Sequence, residues 1–455
     1  MTDSEKRVNP EILSEFIEKV SRIFDRDSVE NAARETGFVQ RESVLTGHLF
    51  LTVFVFGMSI YGAPTLEQLI GLLKTAVPEI DITRPGFHQR INEYAVEFFE
   101  FMLSKAIRIA IPSDYDPNLL NNFQRIIIMD STSFQLPENL AGIFAGSGGS
   151  ASGAAVKIQF GYDLKSSSFF YVIQDGNLPD NCEQNSFLEL TAAGDLIIRD
   201  MGYFVIKNFK DIDEKKAYYL SRFRTDVNIY IKDKSDNFIK KDISEIIKTA
   251  QKTPTEHEIW LKTGESFIKT RLVVEKVPDA VYSQRIRNIN KRYKKKGQTA
   301  SERVKLCASA NFYISNTSEE LLPKEHFRAV YGIRWQIELI FKSWKSNFAL
   351  DKVTGYREER IKCMIYAKLL FIFVTSDMTH AVRNYVWLTQ KREVSDFRAA
   401  RIFQIFAGEW LRLLLCEPHR VKKFLEELAG FISVQCLKIR QKDRIYPLEL
   451  LESLS

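Results

Sequence analysis

The sequence predicts a mixed α/β core that is interrupted by a β-rich block and flanked by helical regions. Three observations predict this class. Two short apolar runs, 125–129 and 196–199, are each followed at once by an aspartate. A strand-rich segment separates the second run from a strongly helical segment at 324–349. Apolar residues recur at three- and four-residue spacing in the N-terminal and C-terminal regions, which is typical of amphipathic helices.

Residues 1–115 form the predicted N-terminal helical region. Its basic residues Arg84, His88 and Arg90 would suit a small module that binds DNA ends. A purely structural helical cap fits the same pattern, so both interpretations stay open.

Residues 116–210 form the first part of the predicted core. The run 125–129 is typical of a strand that is buried on both faces, and we expect this strand to end at Asp130. The run 196–199 predicts another strand, which ends at Asp200. Between them we expect two strands and a helix, at Ala155–Tyr162, Ser168–Gln174 and Ser186–Ala193. An aspartate at a strand end is often only a turn former, so neither acid is decisive alone.

Residues 211–315 form the predicted inserted β-rich domain, in which β-branched and aromatic residues occur in short runs. Its basic stretch, 285–305, is predicted to be a mobile loop. Residues 281–310 contain nine Lys or Arg and one acid, Glu302, whereas the whole chain carries a net charge of only +6. Such a patch is the expected footprint of a polyanion, although a solvated loop without a partner is an alternative. The candidate DNA-binding residues here are Arg285, Arg287, Arg292, Lys294, Lys295 and Lys296.

Residues 316–350 contain the strongest helix signal. At about 100° per residue, four polar side chains of this helix fall within about 60° of one another, namely Tyr331, Arg334, Glu338 and Lys345. A solvated charged face is the ordinary explanation of such a stripe. Asp130 and Asp200 suggest a second explanation of the stripe. Together with Glu338 they make three carboxylates, which could hold two Mg²⁺ ions for in-line phosphoryl transfer.

The composition argues against zinc-binding, disulfide-rich, secreted and membrane proteins. The five cysteines are widely spaced, which does not fit a zinc site or a disulfide scaffold. The N-terminus lacks an apolar signal-peptide core, and the apolar run Leu49–Tyr61 is shorter than a membrane helix needs. We therefore expect a cytoplasmic protein without a membrane partner.

Three motifs resemble those of a known family. The pattern Tyr-x2-Arg-x3-Glu-x6-Lys at 331–345 resembles the signature around the third acid of DDE transposases of the insertion-sequence-four family. Residues 129–137 resemble the family's first-aspartate motif, and 199–204 resemble its second, with Met201 bulkier than the usual residue. Asp195 competes with Asp200 as the second acid, but it precedes the strand.

The resemblance implies an RNase H-like core with Asp130, Asp200 and Glu338 as catalytic, metal-binding acids. It implies two Mg²⁺ ions, for which Mn²⁺ can substitute, and excision and strand transfer of an insertion sequence through a hairpin intermediate. It also implies that Tyr331, Arg334 and Lys345 contact phosphates near a flipped base. The aromatic residue that stacks on this base would come from the inserted domain, with Trp260, Phe312 and Tyr313 as candidates.

The implied partners are double-stranded DNA, as terminal inverted repeats and target, and a second copy of the chain. Residues 351–455 are the predicted dimerisation region, and the protein would be nucleoid-associated in a prokaryote. Two alternatives remain: an RNase H-like nuclease without transposition activity, and a domesticated, transposase-derived DNA-binding protein.

Overall fold

The structure is a computed structural model that describes residues 17–439, except for 19, 108–121, 150, 166–168, 180–187, 189, 335–343 and 356. The chain divides into two compact units. The first comprises Met1–Tyr115, Ser131–Leu178 and Gln336–Glu449. The second comprises Asp116–Asp130, Pro179–Trp335 and Leu450–Ser455.

The first unit is mainly helical. Its N-terminal helices are α1 (Arg26–Glu35), α2 (Gly47–Tyr61), α3 (Leu66–Ala76), α4 (Arg84–Gln89) and α5 (Glu93–Ile107). Its C-terminal helices are α11 (Glu358–Gln390), α12 (Asp396–Cys416) and α13 (Val421–Gln435). The Thr46 side chain caps the start of α2, and Gly62, with a φ of 75°, ends it. Because α2 is apolar on nearly all sides, it is buried between other helices, and Phe56 packs edge-on against Trp410 of α12.

The second unit is built on a sheet. Its strands are β4 (Leu196–Arg199), β5 (Tyr218–Arg222), β6 (Ile229–Lys232), β7 (Phe238–Lys241), β8 (Thr255–Thr263), β9 (Ser266–Lys276) and β10 (Ala310–Ser315). Its helices are α6 (Ile206–Glu214), α7 (Ile243–Thr249), α8 (Asp279–Lys295), α9 (Glu302–Cys307) and α10 (Phe327–Gly332). Strand β1 (Ile126–Gln135) begins in this unit and ends in the first, which also contains β2 (Ala155–Asp163) and β3 (Phe169–Asp175).

The strand order in the second unit is β1-β4-β5-β10-β9-β8-β6-β7. Strands β1, β4 and β5 are parallel, β10 is antiparallel to β5, and β9 is antiparallel to β10. In the first unit the order is β3-β2-β1, with β2 and β3 antiparallel. The mixed α/β architecture is therefore confirmed, and Ile127, Ile128, Ile197 and Ile198 lie in its core as expected of central strands.

The structure corrects three predictions of secondary structure. Strand β1 does not end at Asp130 but continues to Gln135, because the polar residues that follow alternate between buried and exposed positions and still fit a strand. The basic stretch 285–305 is not a loop but contains the end of α8 and the start of α9. Its helical periodicity is visible at Tyr282, Ile286, Ile289 and Tyr293, which recur at four- and three-residue spacing.

The third correction concerns the single helix expected over 324–349. Helix α10 ends at Gly332, and Ile333 and Arg334 form a turn. Glycine is a poor helix former, which is consistent with an end at this point. Residues 344–348 are helical again, and 335–343 lie outside the described residues. Of the helix predicted at Ser186–Ala193, Leu188 and Leu190 are helical, whereas 191–193 are not, so the helix ends earlier than predicted; 186, 187 and 189 lie outside the described residues.

In the described part of the chain, no single helix is long and apolar enough to cross a membrane. The pair α2 and α3 meets the same criteria only when its two helices are taken together, and the pair is bent by 117°.

Candidate active site

Two aspartates lie side by side on neighbouring parallel strands. In the register of β1 and β4, Met129 is aligned with Arg199. The next residues are Asp130 and Asp200, and Asp200 keeps an extended backbone, with φ −75° and ψ 165°. Since adjacent strands lie about 4.8 Å apart, the two carboxylates share one edge of the sheet. We call this the aspartate edge.

Two side chains from the region of α10 reach these carboxylates. The Tyr331 hydroxyl donates a hydrogen bond to Oδ1 of Asp200 at 3.3 Å. The Arg334 guanidinium lies 3.4 Å from Oδ2 of Asp130 and forms an ion pair with it. Tyr331 and Arg334 therefore meet the two predicted acids, although α10 does not continue through Arg334 as a helix.

Tyr331 is almost fully buried. Its ring packs against Tyr313 with a centroid distance of 5.5 Å, and the Arg334 guanidinium lies 5.8 Å from its centre. Burial raises the pKa of Tyr331, and the nearby Arg334 cation lowers it by a smaller amount. The phenol consequently remains protonated at neutral pH and is a hydrogen-bond donor there.

The register also places at this edge a residue that the sequence analysis missed. Arg199 of β4 is aligned with Ser221 of β5, so the residue after Ser221, Arg222, is level with Asp200. Arg222 is half-buried, and its positive charge lowers the pKa of Tyr331 and of Tyr313. In the sequence, Arg222 could have been recognised as an arginine at the end of a strand that follows the two apolar runs, each of which is followed by an acid.

Asp195, the alternative second acid, is a structural residue. It is fully buried, and it pairs with Arg125 through Nε at 2.9 Å and Nη2 at 2.5 Å. It also accepts a hydrogen bond from the backbone N–H of Ala192. Because these bonds occupy its carboxylate inside the protein, Asp200 is the better candidate for a metal ligand.

Glu338, the predicted third acid, lies outside the described residues. Among the residues that the structure describes, no three His, Cys, Asp or Glu side chains lie close enough together to hold a metal ion. Lys345 is described in the first unit, where its ammonium donates a hydrogen bond to the carbonyl of Ser133 at 3.2 Å. Ser133 belongs to β1, three residues after Asp130.

The predicted basic residues divide into two groups. Arg287, Arg292, Lys294, Lys295 and Lys296 are exposed, on α8 or just after it. Arg285 is half-buried and donates hydrogen bonds to the carbonyls of Ala308 and Ala310, at 3.2 Å each, and to Oδ1 of Asn311 at 2.6 Å. Its guanidinium is therefore hydrogen-bonded within the protein.

The aromatic candidates for base stacking differ in exposure. Phe312 and Tyr313 are buried, whereas Trp260 is half-exposed. Trp260 lies on β8, four strands from β4, and pairs with Lys269 near the start of β9. Tyr313 of β10 is aligned with Arg222 on one side and with Val273 of β9 on the other. Since Val273 is near the end of β9, the end of this strand is close to the aspartate edge and its start is farther away.

Two basic residues of the N-terminal region also have partners within the first unit. Arg84 forms a salt bridge with Glu67 at 2.9 Å, and the Arg90 guanidinium lies 4.2 Å from the centre of the Phe38 ring. These contacts fit a structural role for both residues, and a DNA-binding role of the region stays a prediction.

Comparison with known proteins supports the class of protein that this site suggests. Residues 121–374 match the family described as "Transposase DDE domain", and the chain belongs to this family. It is a DNA transposase, which confirms the resemblance that the three motifs suggested. A transposase DDE domain implies DNA as a partner and a divalent metal ion as a cofactor.

The chain is similar along most of its length to transposases of bacterial insertion sequences. It is 32% identical over 410 residues to the transposase for insertion sequence element IS231F of Bacillus thuringiensis subsp. israelensis, with 87% of this chain and 86% of the relative covered. It is 28% identical over 434 residues to the transposase for IS1151 of Clostridium perfringens, with 89% and 91% covered. Among solved structures, the piggyBac transposase in a synaptic complex with hairpin DNA matches with a TM-score of 0.43 and 11% identity, covering 91% of this chain and 84% of that one.

Proposed function

We propose that this transposase excises an insertion sequence and joins it to target DNA by metal-dependent phosphoryl transfer at the aspartate edge. The observation that carries the proposal is the pairing of Asp130 and Asp200 with Arg334 and Tyr331. A half-buried carboxylate pair beside an arginine and a tyrosine suits a site that holds cations and phosphates together.

The donor set fits Mg²⁺. Hard divalent cations prefer carboxylate oxygens and water, and the aspartate edge offers two carboxylates without a cysteine or histidine among its described contacts. We propose that Asp130, Asp200 and Glu338 hold two Mg²⁺ ions, or Mn²⁺ as a substitute. When bound, such ions activate the attacking oxygen and stabilise the leaving oxygen.

The protein's own cations would hold the DNA strand. The ion pair with Asp130 holds the Arg334 guanidinium at the aspartate edge, where its planar donors would match a phosphate in two places. Arg222 is level with Asp200 and adds a second guanidinium to this edge. Tyr331 donates a hydrogen bond there. Lys345 stays a proposed phosphate contact on the resemblance of its motif alone.

The fold around this site supports an RNase H-like core. Two antiparallel strands, β2 and β3, precede β4, and β4 runs parallel to β1. Residues 211–315, which contain β5 to β10 and α7 to α9, would then be the inserted domain, since they lie in sequence between the second acid and the third.

We further propose that the enzyme works as a homodimer in a synaptic complex with two terminal inverted repeats. Exposed apolar side chains on α12 and α13 support a contact between copies there, since Ile405 and Val434 are each 63% exposed. Sedimentation of the protein with and without end DNA would test this, because a monomer under both conditions contradicts it.

The active-site proposal is tested by near-isosteric substitutions. Asp130→Asn, Asp200→Asn and Glu338→Gln should each lower cleavage of a supercoiled donor carrying the element by roughly 10³-fold or more, because each removes a charged metal ligand. Binding of end DNA should persist. Asp195→Asn is the contrasting variant, which should destabilise the fold because it removes the ion pair with Arg125. Near-normal cleavage by any of the three site variants would contradict the triad. Cleavage without joining in the wild type would favour the nuclease alternative.

A further inference from the structure

Helix α8 carries an exposed basic surface. The cations of α8 and the residue after it include Arg287, Lys291, Arg292, Lys294, Lys295 and Lys296, all of them exposed. None of the six forms a salt bridge with a described residue, and the helix has a single acid, Asp279, at its first position. No residue of α8 is buried. Because these six cations lie close together and are not neutralised by described acids, the surface is complementary to a polyanion.

The helix has two different faces. Tyr282, Ile286, Ile289 and Tyr293 fall on one stripe at about 100° per residue, and all four are half-exposed. Arg287, Lys291, Lys294 and Lys295 fall on the opposite side. The apolar stripe therefore faces the protein and the basic stripe faces solvent.

Arg285 ties the start of α8 to the sheet. Its three hydrogen bonds end on the segment that leads into β10 and on the first residues of that strand. Burial lowers the pKa of Arg285, and the nearby Arg222 and Arg328 cations lower it further. A guanidinium remains charged under these conditions, so all three bonds are retained at neutral pH.

This anchor places α8 next to the aspartate edge. Tyr313 of β10 is aligned with Arg222, and Arg222 is level with Asp200. Ala310, at the start of β10, pairs with Lys276 at the end of β9, from which the chain enters α8. The basic helix thus leaves the sheet from the edge that carries the aspartates.

We propose that α8 binds the phosphate backbone of duplex DNA beside the cleavage site through Arg287, Lys291, Lys294 and Lys295, and that Arg285 is a positioning residue that fixes the helix. The inference rests on the proposed function, which supplies DNA as the partner. A helix of 17 residues is about 25 Å long, which matches about seven base pairs of duplex. Lysines contact phosphates as point charges and favour backbone binding over base reading.

The first test measures how binding depends on salt. Affinity for a labelled duplex of arbitrary sequence is measured by fluorescence anisotropy at several salt concentrations. In the variant Lys291→Gln/Lys294→Gln/Lys295→Gln, the slope of log K against log salt should fall by about 2.7, which is about 0.9 for each phosphate that the variant no longer neutralises. The matched control is Lys234→Gln/Lys240→Gln/Lys252→Gln, which removes the same charge from exposed positions on β7 and in loops. An unchanged slope, or an equal fall in the control, would overturn the inference.

The second test separates positioning from direct phosphate binding. Arg285→Gln should weaken duplex binding several-fold at an unchanged salt slope. Arg285→Lys restores the charge but not the three hydrogen bonds, so it should not restore affinity. Rescue by lysine, or a slope lowered by about 0.9, would mean that Arg285 itself contacts phosphate and would overturn the positioning role. Asp200→Asn reports on the active site separately, since it should abolish cleavage without changing the slope.

Discussion

Tyr331 donates a hydrogen bond to Asp200, with 3.3 Å between the hydroxyl oxygen and Oδ1. The bond joins a residue of α10 to the end of β4, across 131 positions of the chain. Together with the ion pair between Arg334 and Asp130, it brings the region of α10 to the two aspartates.

Replacement of Tyr331 by phenylalanine should slow DNA cleavage by roughly 10- to 100-fold, because a hydrogen bond to a charged group contributes about 1.5–3 kcal/mol. The ring contact with Tyr313 should survive, so the fold should not change. Single-turnover cleavage at saturating Mg²⁺ measures the effect, with the melting temperature as control. A wild-type rate would show that the hydroxyl has no part in the reaction.

Replacement of Arg334 by glutamine should change metal binding and cleavage in opposite directions. The variant removes a cation 3.4 Å from the Asp130 carboxylate, so divalent ions should bind a few-fold more tightly, as measured by calorimetry with Mn²⁺. Cleavage should fall, because the phosphate loses a bidentate partner. Arg334→Lys keeps the charge and should leave metal affinity close to that of the wild type. Weaker metal binding in Arg334→Gln would contradict this account.

Replacement of Arg222 by glutamine should lower cleavage by roughly 10- to 100-fold if its guanidinium holds a phosphate, since a charge-assisted hydrogen bond contributes about 1.5–3 kcal/mol. Arg224→Gln is the matched control two residues further on, because Arg224 is exposed and paired with Asp226 at 2.6 Å. Equal cleavage by the two variants would remove Arg222 from the site.

Lys368 makes the stability of the first unit depend on pH. It is buried on α11 and donates hydrogen bonds to the carbonyls of Ala349 and Lys352, which follow the helical segment that carries Lys345. Burial lowers the pKa of Lys368 to about 7, whereas an unfolded lysine titrates near 10.5. Between these values the unfolded chain binds more protons than the folded chain, so stability rises with pH.

The rise should amount to about 2 kcal/mol between pH 7 and pH 9. Urea unfolding at the two pH values measures it. Lys368→Met should abolish this part of the pH dependence, since methionine fills a similar volume without a titrating group. A pH profile of Lys368→Met identical to that of the wild type would contradict the assignment.

Arg271 is expected to stabilise the second unit. It pairs with Glu256 and Glu319, donates to the carbonyls of Thr317, Ser318 and Leu322, and lies 5.0 Å from the centre of the Phe327 ring at the start of α10. Arg271→Ala should cost about 3 kcal/mol of unfolding free energy, because it leaves a partly buried carboxylate without its cation. Lys269→Ala, on the same strand, should cost under about 1 kcal/mol, since its pair with Glu258 is exposed. Chemical denaturation compares them, and equal effects would contradict the prediction.

The core strands and their acids were predictable because local patterns specify them. A short continuous run of Ile and Leu is typical of a strand in a sheet that is covered on both faces, and residues 126–128 and 196–198 are such runs. The helical nature of the basic stretch was also present in the spacing of Tyr282, Ile286, Ile289 and Tyr293. A dense run of Lys and Arg is equally typical of a solvated loop, so the charge and the periodicity of this stretch predict different structures.

The sequence by itself determined the class of the protein, the two apolar strands that lead to Asp130 and Asp200, and the motif that supplies Tyr331 and Arg334. Only the tertiary structure decided that Asp195 is paired with Arg125, that Arg285 anchors α8 instead of facing solvent, and that Arg222 is level with Asp200. The reason is physical: spacing along the chain specifies which face a residue occupies on its own element. Strand register and burial specify which residues of other elements it meets.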